Sequence, residues 1–418
     1  MKIIKKIMVL ATAATIATSC GGPTEKGKKG GSLNSNTAEK VYVAPGEYDE
    51  FYGFVSGGFS GQLAVYGLPS GRLFKVIPVF SQDAEKAYGY NEETKPMLNT
   101  SFGFVPWDDA HHPDISQTNG VTDGRWVFIN GNNTPRIAKV DLTTFETTEI
   151  IEIPNTAGNH SSSYVTENSE YVVAGTRFGV PVPQQDISIN EYKGKFKGAI
   201  SFIKVDEEDG GMDLEFQILM PGFDFDKAHP GRDKSHGWFF FTTYNSEEAN
   251  TLLEVNASQN DKDYIAAINW KKIAEYVKNG GGKKMATNYA HNVYDEHTHS
   301  ATSTMKKEVI VIEPTEVPGA IYFLPTPKSP HGCDVDPSGE YIVGSGKLSA
   351  NLTVHSFSKM INAIENKKVM LAEDFQPKVN QILEAVNKNS KILFLCSPNN
   401  PSGNSFSVEK VEELLTKF

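Results

Sequence analysis

The chain has 418 residues, of which 39% are hydrophobic and 11% aromatic, and its formal net charge is −11. This length and composition can bury one large core or two ordinary ones, whereas the acidic balance and the lack of a Lys/Arg cluster exclude a nucleic-acid-binding surface. Only Cys333 and Cys396 follow the N-terminal Cys20, so a disulfide framework is excluded as well.

The first 20 residues have the pattern of an export signal that takes no part in the fold. Three lysines precede an apolar stretch at 7–16, which is too short to span a bilayer. The small residues before Cys20 resemble the lipobox of bacterial lipoproteins; an ordinary signal peptide with an incidental cysteine is the alternative. We predict an exported, periplasmic protein that contacts the membrane only through lipidated Cys20, with residues 21–40 as a disordered tether.

Residues 41–368 are predicted to be mostly β, with one helix at 270–279. Four tight turns each lead into a strand that opens with an aromatic residue: Trp126, Tyr171, Trp238 and Tyr341. The first two aromatics are 45 positions apart (171 minus 126), which is the length of one propeller blade. The pattern predicts a β-propeller whose later, longer gaps hold insertions or weaker blades.

Histidines stand 10 to 14 positions before three of these aromatic residues: His112 (with His111 beside it), His160 and His331. The strand nearest a propeller axis precedes the turn and the next strand, so equivalent positions in successive blades meet at one mouth of the central channel. Four imidazoles from three blades suit a borderline-soft metal, and copper and zinc are the leading candidates.

The segments around these histidines resemble the propeller domain of the nitrous-oxide reductases. The resemblance covers about residues 41–368 and rests on the segments 108–126, 155–160, 241–247, 329–332 and 346–349. That family holds a sulfide-bridged tetranuclear copper cluster through seven histidines on a seven-bladed propeller. The resemblance implies that the cluster ligands are His111, His112, His160 and His331, and that calcium binds at Tyr244 and Glu247, with Asp263 as a third candidate.

The resemblance also implies an activity and partners. The substrate would be N2O, reduced with two electrons and two protons to N2 and water. The electron donor would be a small protein such as a c-type cytochrome or a cupredoxin, and the intact family forms homodimers. Three further cluster histidines and the cupredoxin domain with its dinuclear copper centre find no match in this chain. We therefore expect an incomplete propeller that does not reduce N2O as written.

The remaining histidines match no ligand motif of that family. His291, His297 and His299 look metal-binding by composition, but the glycine-rich and lysine-rich stretch at 280–284 favours a solvated loop in an exposed insertion. His229 and His236 flank a turn and are predicted to support the site or to lie at the surface. His355 is predicted to be a hydrogen-bonded structural histidine in a strand.

After Lys368 the pattern changes to a short α/β segment with helical apolar spacing, a buried strand at 392–396 and an amphipathic helix that begins near Ser407. Residues 369–418 resemble a fragment of the pyridoxal-phosphate aminotransferases, most closely the histidinol-phosphate aminotransferases. The turn 397–404 carries the resemblance, and Asn400 stands where that family binds the cofactor's ring oxygen. The Schiff-base lysine of that family has no match here, so the segment is not expected to transaminate. Because that family is cytoplasmic, which conflicts with the export signal, we interpret the chain as two unrelated gene fragments joined near Lys368; a natural fusion is the alternative.

Three functions are compatible with these patterns. The first is a copper oxidoreductase of the nitrous-oxide reductase type. The second is a non-catalytic exported β-propeller that binds a partner, because no complete catalytic set is found. The third is an aminotransferase, which the C-terminal segment alone supports and the export signal opposes.

Overall fold

The structure is a computed structural model, and it describes residues 37–191, 195–221, 223–244, 263–326, 328–347, 349–366 and 412. The chain divides into two compact units, of which the first comprises residues 1–53 and 66–74 and the second residues 54–65 and 75–418. In the first unit, helix α1 (Thr37–Lys40) is followed by Asp49, whose carboxylate accepts hydrogen bonds from Ser70 and Arg72. Strands β1 (Phe51–Ser56), β2 (Gln62–Leu68) and β3 (Leu73–Pro78) form a three-stranded sheet.

The second unit consists mainly of meandering antiparallel sheets, and a short pair, β4 (Asn99–Thr100) and β5 (Gly103–Phe104), precedes the first of them. The first meander contains β6 (Ala110–Thr118), β7 (Val121–Gly131), β8 (Arg136–Asp141) and β9 (Glu146–Glu152). The second contains β10 (Ser161–Val165), β11 (Tyr171–Gly175), β13 (Phe196–Val205) and β14 (Met212–Pro221), with the short β12 (Val180–Pro181) paired to β13.

Two further meanders follow in chain order. The third pairs β15 (Phe225–Pro230), β16 (Trp238–Thr243), β17 (Tyr264–Asn269) and β20 (Ile321–Pro325). The fourth pairs β21 (Pro330–Val335), β22 (Tyr341–Gly346) and β23 (Leu352–Ser356). Within the described part of the chain, the four aromatic-led strands predicted from the sequence are thus the second strands of four successive meanders.

The first strands of these meanders lie side by side: β6 contacts β10, β10 contacts β15, and β15 contacts β21. Apolar clusters fill the spaces between successive meanders, for example where Phe202 and Phe216 of the second pack with Phe239 and Phe241 of the third. First strands that line a common axis and sheets that pack face to face are the arrangement of propeller blades. The predicted mainly β, propeller-type architecture is confirmed for the described residues, whereas the predicted α/β segment 369–418 lies outside them, apart from Glu412.

The predicted solvated loop in an exposed insertion is wrong for His291, because Lys283–Asp295 is a strand of a long hairpin, whereas His297 and His299 lie in the exposed turn of that hairpin as predicted. Strand β18 (Lys283–Asp295) pairs with β19 (Ser300–Ile312), and the hairpin joins β9 on one side and β14 on the other. Tyr289, Val309 and Val311 are buried in the core between the first two meanders. Lys283 and Lys284, which suggested a loop, are exposed at the start of β18, while alternate residues further along the hairpin face the core.

Two helices flank the third and fourth meanders. Helix α2 (Trp270–Lys278) begins where Asn269 accepts a hydrogen bond from Lys272 N, and it confirms the helix predicted at 270–279. Helix α3 (Phe357–Glu365) follows β23 and buries Phe357 and Met360 against Trp238 and Phe240 of the third meander. Residues up to 366 are therefore packed into the β-rich unit.

Among the described residues, no helix is both long and apolar enough to cross a membrane. Cys333 is buried with a free thiol.

Candidate metal centre

A β-bulge brings the adjacent His111 and His112 to the same site. Ala110 pairs with Gly131 and Pro113 pairs with Ile129, so both histidines stand opposite the single residue Asn130. In a regular strand, neighbouring side chains point to opposite faces, whereas a bulge adds one residue and redirects its side chain. The ring centroids of His111 and His112 are 4.4 Å apart.

The same one-residue bulge recurs in the other three first strands. It lies at Ser162 and Ser163 in β10, at Asp226 and Lys227 in β15, and at His331 in β21. His160 itself comes directly before β10 and lies outside the bulge of that strand. Because the first strands lie side by side, the bulges that contain His111 and His112, Asp226, and His331 lie near one another and near His160.

Three imidazoles meet there. The ring of His160 lies 4.7 Å from that of His111 and 4.7 Å from that of His112, centroid to centroid. One nitrogen from each ring lies within 4.8 Å of the others, which is close enough for one metal ion or one compact cluster. The His160 side chain is 10% exposed and that of His111 is 32% exposed, so the site is open on the His111 side.

Asp226 connects His331 to this group. Its carboxylate is fully buried, with one oxygen 3.3 Å from His160 Nδ1 and the other 4.0 Å from His331 Nε2 and 3.9 Å from Lys347 Nζ. The structure thus brings together His111, His112 and His160 directly and places His331 beside them on the far side of Asp226.

The site favours neutral imidazoles. Burial lowers the pKa of His112 to about 3, with the neighbouring His160, His111 and Lys227 acting in the same direction. Burial is also the main reason why the pKa values of His111 and His331 are lowered. For Asp226, burial raises the pKa, but His160, His331 and Arg177 outweigh burial and the pKa is lowered. Uncharged rings keep the lone pairs that a metal binds.

Several buried polar atoms of the described site have no hydrogen-bond partner: His112 Nδ1, His160 Nδ1 and both Asp226 oxygens. The 3.3 Å approach of His160 to Asp226 does not have hydrogen-bond alignment. Unpartnered buried polar atoms are costly in a folded protein, and a bound cation would satisfy them. The donor set of imidazoles with one carboxylate fits a transition metal.

A cavity of about 600 Å³ extends from the histidines along the first strands. His112 and His331 line it together with Lys227, His229 and Arg232. The cavity gives small molecules space next to the site.

The predicted calcium residues are only partly described. Tyr244 directly follows β16, and Asp263 directly precedes β17, so the register of these two strands places the two residues next to each other. Glu247 lies outside the described residues. Asp263 is buried, which raises its pKa; one of its oxygens accepts a hydrogen bond from Ser329 N, and the other lies 3.9 Å from Lys328 Nζ.

The other histidines lie elsewhere. His291 sits on β18, where its Nε2 lies 2.6 Å from Glu149, so the predicted solvated loop is wrong for this residue. His297 and His299 are in the exposed turn of the hairpin. His236 lies between Glu167 and Glu170, away from the imidazole group. His229 borders the cavity. His355 lies in β23, and its Nε2 is within hydrogen-bonding distance of Pro325 O, as predicted for a structural histidine in a strand.

Sequence reasoning missed Asp226, Lys227 and Asn130. Asp226 could have been found, because it lies 12 positions before Trp238 (238 minus 226). This distance falls in the range of 10 to 14 positions that locates His112, His160 and His331. Asn130 could not, because its role depends on the bulge. Cys20 and Asn400 lie outside the described residues.

Comparison with known proteins shows two separate similarities. The nitrous-oxide reductase of Stutzerimonas stutzeri is 27% identical over 363 residues, which is 85% of this chain and 52% of that protein. The nitrous-oxide reductase of Pseudomonas fluorescens is 28% identical over 352 residues, covering 82% and 50%. The chain spans about half the length of these curated relatives.

The C-terminal part is similar to other proteins. A family model for class I and II aminotransferases matches residues 344–418. The histidinol-phosphate aminotransferase of Flavobacterium johnsoniae is 64% identical over 58 residues, which is 14% of this chain and 17% of that protein. The family match begins inside β22, in residues that the structure packs into the fourth meander.

Among solved structures, Kuenenia stuttgartiensis hydrazine synthase aligns with 73% of this chain and 80% of its own, at 12% identity and a TM-score of 0.36.

Proposed function

We propose that residues 41–368 form the copper-binding part of an oxidoreductase of the nitrous-oxide reductase type, with N2O as substrate. The observation that carries the proposal is the meeting of His111, His112 and His160, which are up to 49 positions apart in the chain (160 minus 111), at a site with unpartnered nitrogens. The similarity to nitrous-oxide reductases over 85% of the chain supports copper as the metal.

In this proposal the three imidazoles hold the copper, and His331 completes the set from the other side of Asp226. Bound copper would pass two electrons from the donor protein to N2O, which takes up two protons and gives N2 and water. The buried Asp226 carboxylate, 3.3 Å from His160 Nδ1, would balance the positive charge of the metal. The cavity beside His112 gives N2O access.

Calcium, the electron donor, the homodimer and the export route belong to the same proposal. Tyr244 and Asp263 would supply oxygen ligands for calcium at the ends of β16 and β17. A small basic cytochrome or cupredoxin would dock by charge complementarity to this acidic protein. Residues 1–20 would direct export to the periplasm, with Cys20 as the lipid anchor.

Copper content tests the proposal. The full chain is produced without copper, incubated with copper and sulfide, desalted, and analysed for bound copper and zinc. We expect retained copper in the wild type and its loss in His112→Ala and His160→Ala, because ligands act as a geometric unit. His297→Ala, an exposed histidine, is the matched control and keeps its copper. Equal copper in all four proteins, or a preference for zinc, would contradict the proposal.

Turnover is a separate question from copper binding. Four of the chain's ten histidines gather at this site, and we expect that this number supports copper binding but no N2O consumption above that of His112→Ala when reduced viologen is the donor. Measured turnover in the wild type would show that four imidazoles suffice.

The C-terminal similarity carries a second proposal, that residues 369–418 derive from a pyridoxal-phosphate aminotransferase and contribute nothing to the copper site. Sequencing the gene across the codons for Lys367 to Met370 tests whether one reading frame encodes both parts.

A further inference from the structure

The main chain of His112 is held at both of its polar groups. Its N–H donates a hydrogen bond to Asn130 Oδ1 at 2.7 Å, and its carbonyl accepts one from Ser163 Oγ at 2.8 Å. Asn130 belongs to the second strand of the same meander, whereas Ser163 belongs to the first strand of the next one. His112 is therefore fixed from two directions by side chains that are themselves buried.

Asn130 also reaches the segment that carries His160. Its Nδ2 donates to Asn159 O at 3.2 Å, and Ser162 Oγ donates to the same carbonyl. Asn130 is fully buried and uses both ends of its amide. One side chain thus connects the backbone beside His160 with the backbone of His112.

The bulge explains why such a connection is needed. An extra residue interrupts the hydrogen-bond ladder between β6 and β7, and Pro113 has no N–H to continue it. The amide oxygen of Asn130 takes the place of a missing ladder acceptor. A related contact occurs in the third meander, where Thr242, opposite the bulge, donates from its hydroxyl to Lys227 O at 2.7 Å.

We propose that Asn130 and Ser163 are positioning residues that hold the His111–His112 bulge in register with His160 and thereby set the spacing of the three imidazoles. The inference rests on the proposed copper site. Neither side chain touches the metal; both act through the main chain of His112.

The test compares copper affinity with stability. Asn130→Ala and Ser163→Ala are titrated with copper alone in competition with a chelator, and the thermal unfolding of each copper-free protein is measured. Asn292→Ala is the matched control, because Asn292 is equally buried and its Nδ2 donates to Met97 O and Asn99 O far from the site. We expect Asn130→Ala and Asn292→Ala both to lose thermal stability. Copper affinity should fall by roughly 10- to 100-fold in Asn130→Ala, should also fall in Ser163→Ala, and should stay unchanged in Asn292→Ala.

Two further measurements distinguish a positioning role of Asn130 and Ser163 from a general contribution to the stability of the fold. The absorption and paramagnetic resonance spectra of bound copper should change in Asn130→Ala and Ser163→Ala and stay unchanged in Asn292→Ala. Ser163→Thr, which keeps the hydroxyl, should recover affinity relative to Ser163→Ala. An affinity loss in Asn130→Ala no larger than in Asn292→Ala, with unchanged spectra, overturns the positioning role alone. A wild type that binds no copper overturns the copper site and this inference together.

Discussion

Two regions of the chain are rich in histidine, and the structure uses them in opposite ways. His111 and His112 meet His160 although a whole meander separates them in the sequence, and the Nδ1 atoms of His112 and His160 lack hydrogen-bond partners. His291, His297 and His299 are neighbours in the sequence, yet His291 faces Glu149 while the other two lie in an exposed turn. Local histidine density therefore does not by itself bring imidazoles together, whereas neighbouring inner strands from different meanders do.

The difference extends to charge. At the metal centre, one buried carboxylate serves two histidines at 3.3 and 4.0 Å. In the hairpin region, Glu149 accepts a hydrogen bond from Met212 N and lies 2.6 Å from His291 and 3.3 Å from Lys139. The first arrangement leaves donors for a metal, and the second uses them within the protein. This contrast predicts opposite effects of mutation on stability and on copper binding.

The largest expected effect is on stability in the hairpin region. Glu149→Ala should lower the free energy of unfolding by about 3 kcal/mol, because it leaves the buried Lys139 and His291 without their carboxylate. Copper content should not change. Urea unfolding measures the loss, and Glu308→Ala, which breaks the exposed Lys284–Glu308 pair on the same hairpin, should cost less than about 0.5 kcal/mol. Equal losses in the two variants would contradict the contrast.

A smaller effect concerns the stability of the fold in acid at Glu170, whose carboxylate lies 2.7 Å from His236. Burial raises the pKa of Glu170, but the His236 and Thr166 side chains outweigh burial and lower it to about 2. Because the folded pKa lies below the ordinary value of 4.5, the stabilisation is present above pH 4.5 and is lost as the pH falls towards 2. The stability difference between the wild type and Glu170→Gln, about 1 kcal/mol or less for this partly exposed group, should therefore shrink over that interval in pH-dependent urea unfolding. A difference that grows on acidification would show the opposite sign.

The smallest expected change in stability is at the metal centre. His112→Leu should leave the unfolding free energy of the copper-free protein within about 0.5 kcal/mol of the wild type or raise it, because an apolar side chain replaces a buried nitrogen that has no hydrogen-bond partner. The same variant should lose copper. Calorimetry of the copper-free proteins checks the first expectation, and a loss above about 2 kcal/mol would mean that the imidazole stabilises the fold.

Much of the fold follows from local sequence. The strands that open with Tyr171 and Trp238, and the helix at 270, lie where apolar pattern and turn residues place them, whereas the strand of Trp126 begins five residues earlier, at Val121 (126 minus 121). The convergence of His112 and His160 also follows from their offsets, because the offset places His112 on an inner strand and His160 directly before one. The hairpin 283–312 differs from the predicted exposed insertion. Its partner strands β9 and β14 lie far away in the chain, and contact with them buries its inward face.

The sequence by itself determined the chemical inventory and the local conformations: the signal-like N-terminus, the aromatic-led strands, the imidazoles and the change of pattern after Lys368. Only the tertiary structure decided that four inner strands each gain one residue, that Asp226 lies between His160 and His331, and that Asn130 joins two meanders. The physical reason is that periodicity encodes which face of a strand is buried, whereas a one-residue shift of register depends on hydrogen bonds between segments distant in the chain.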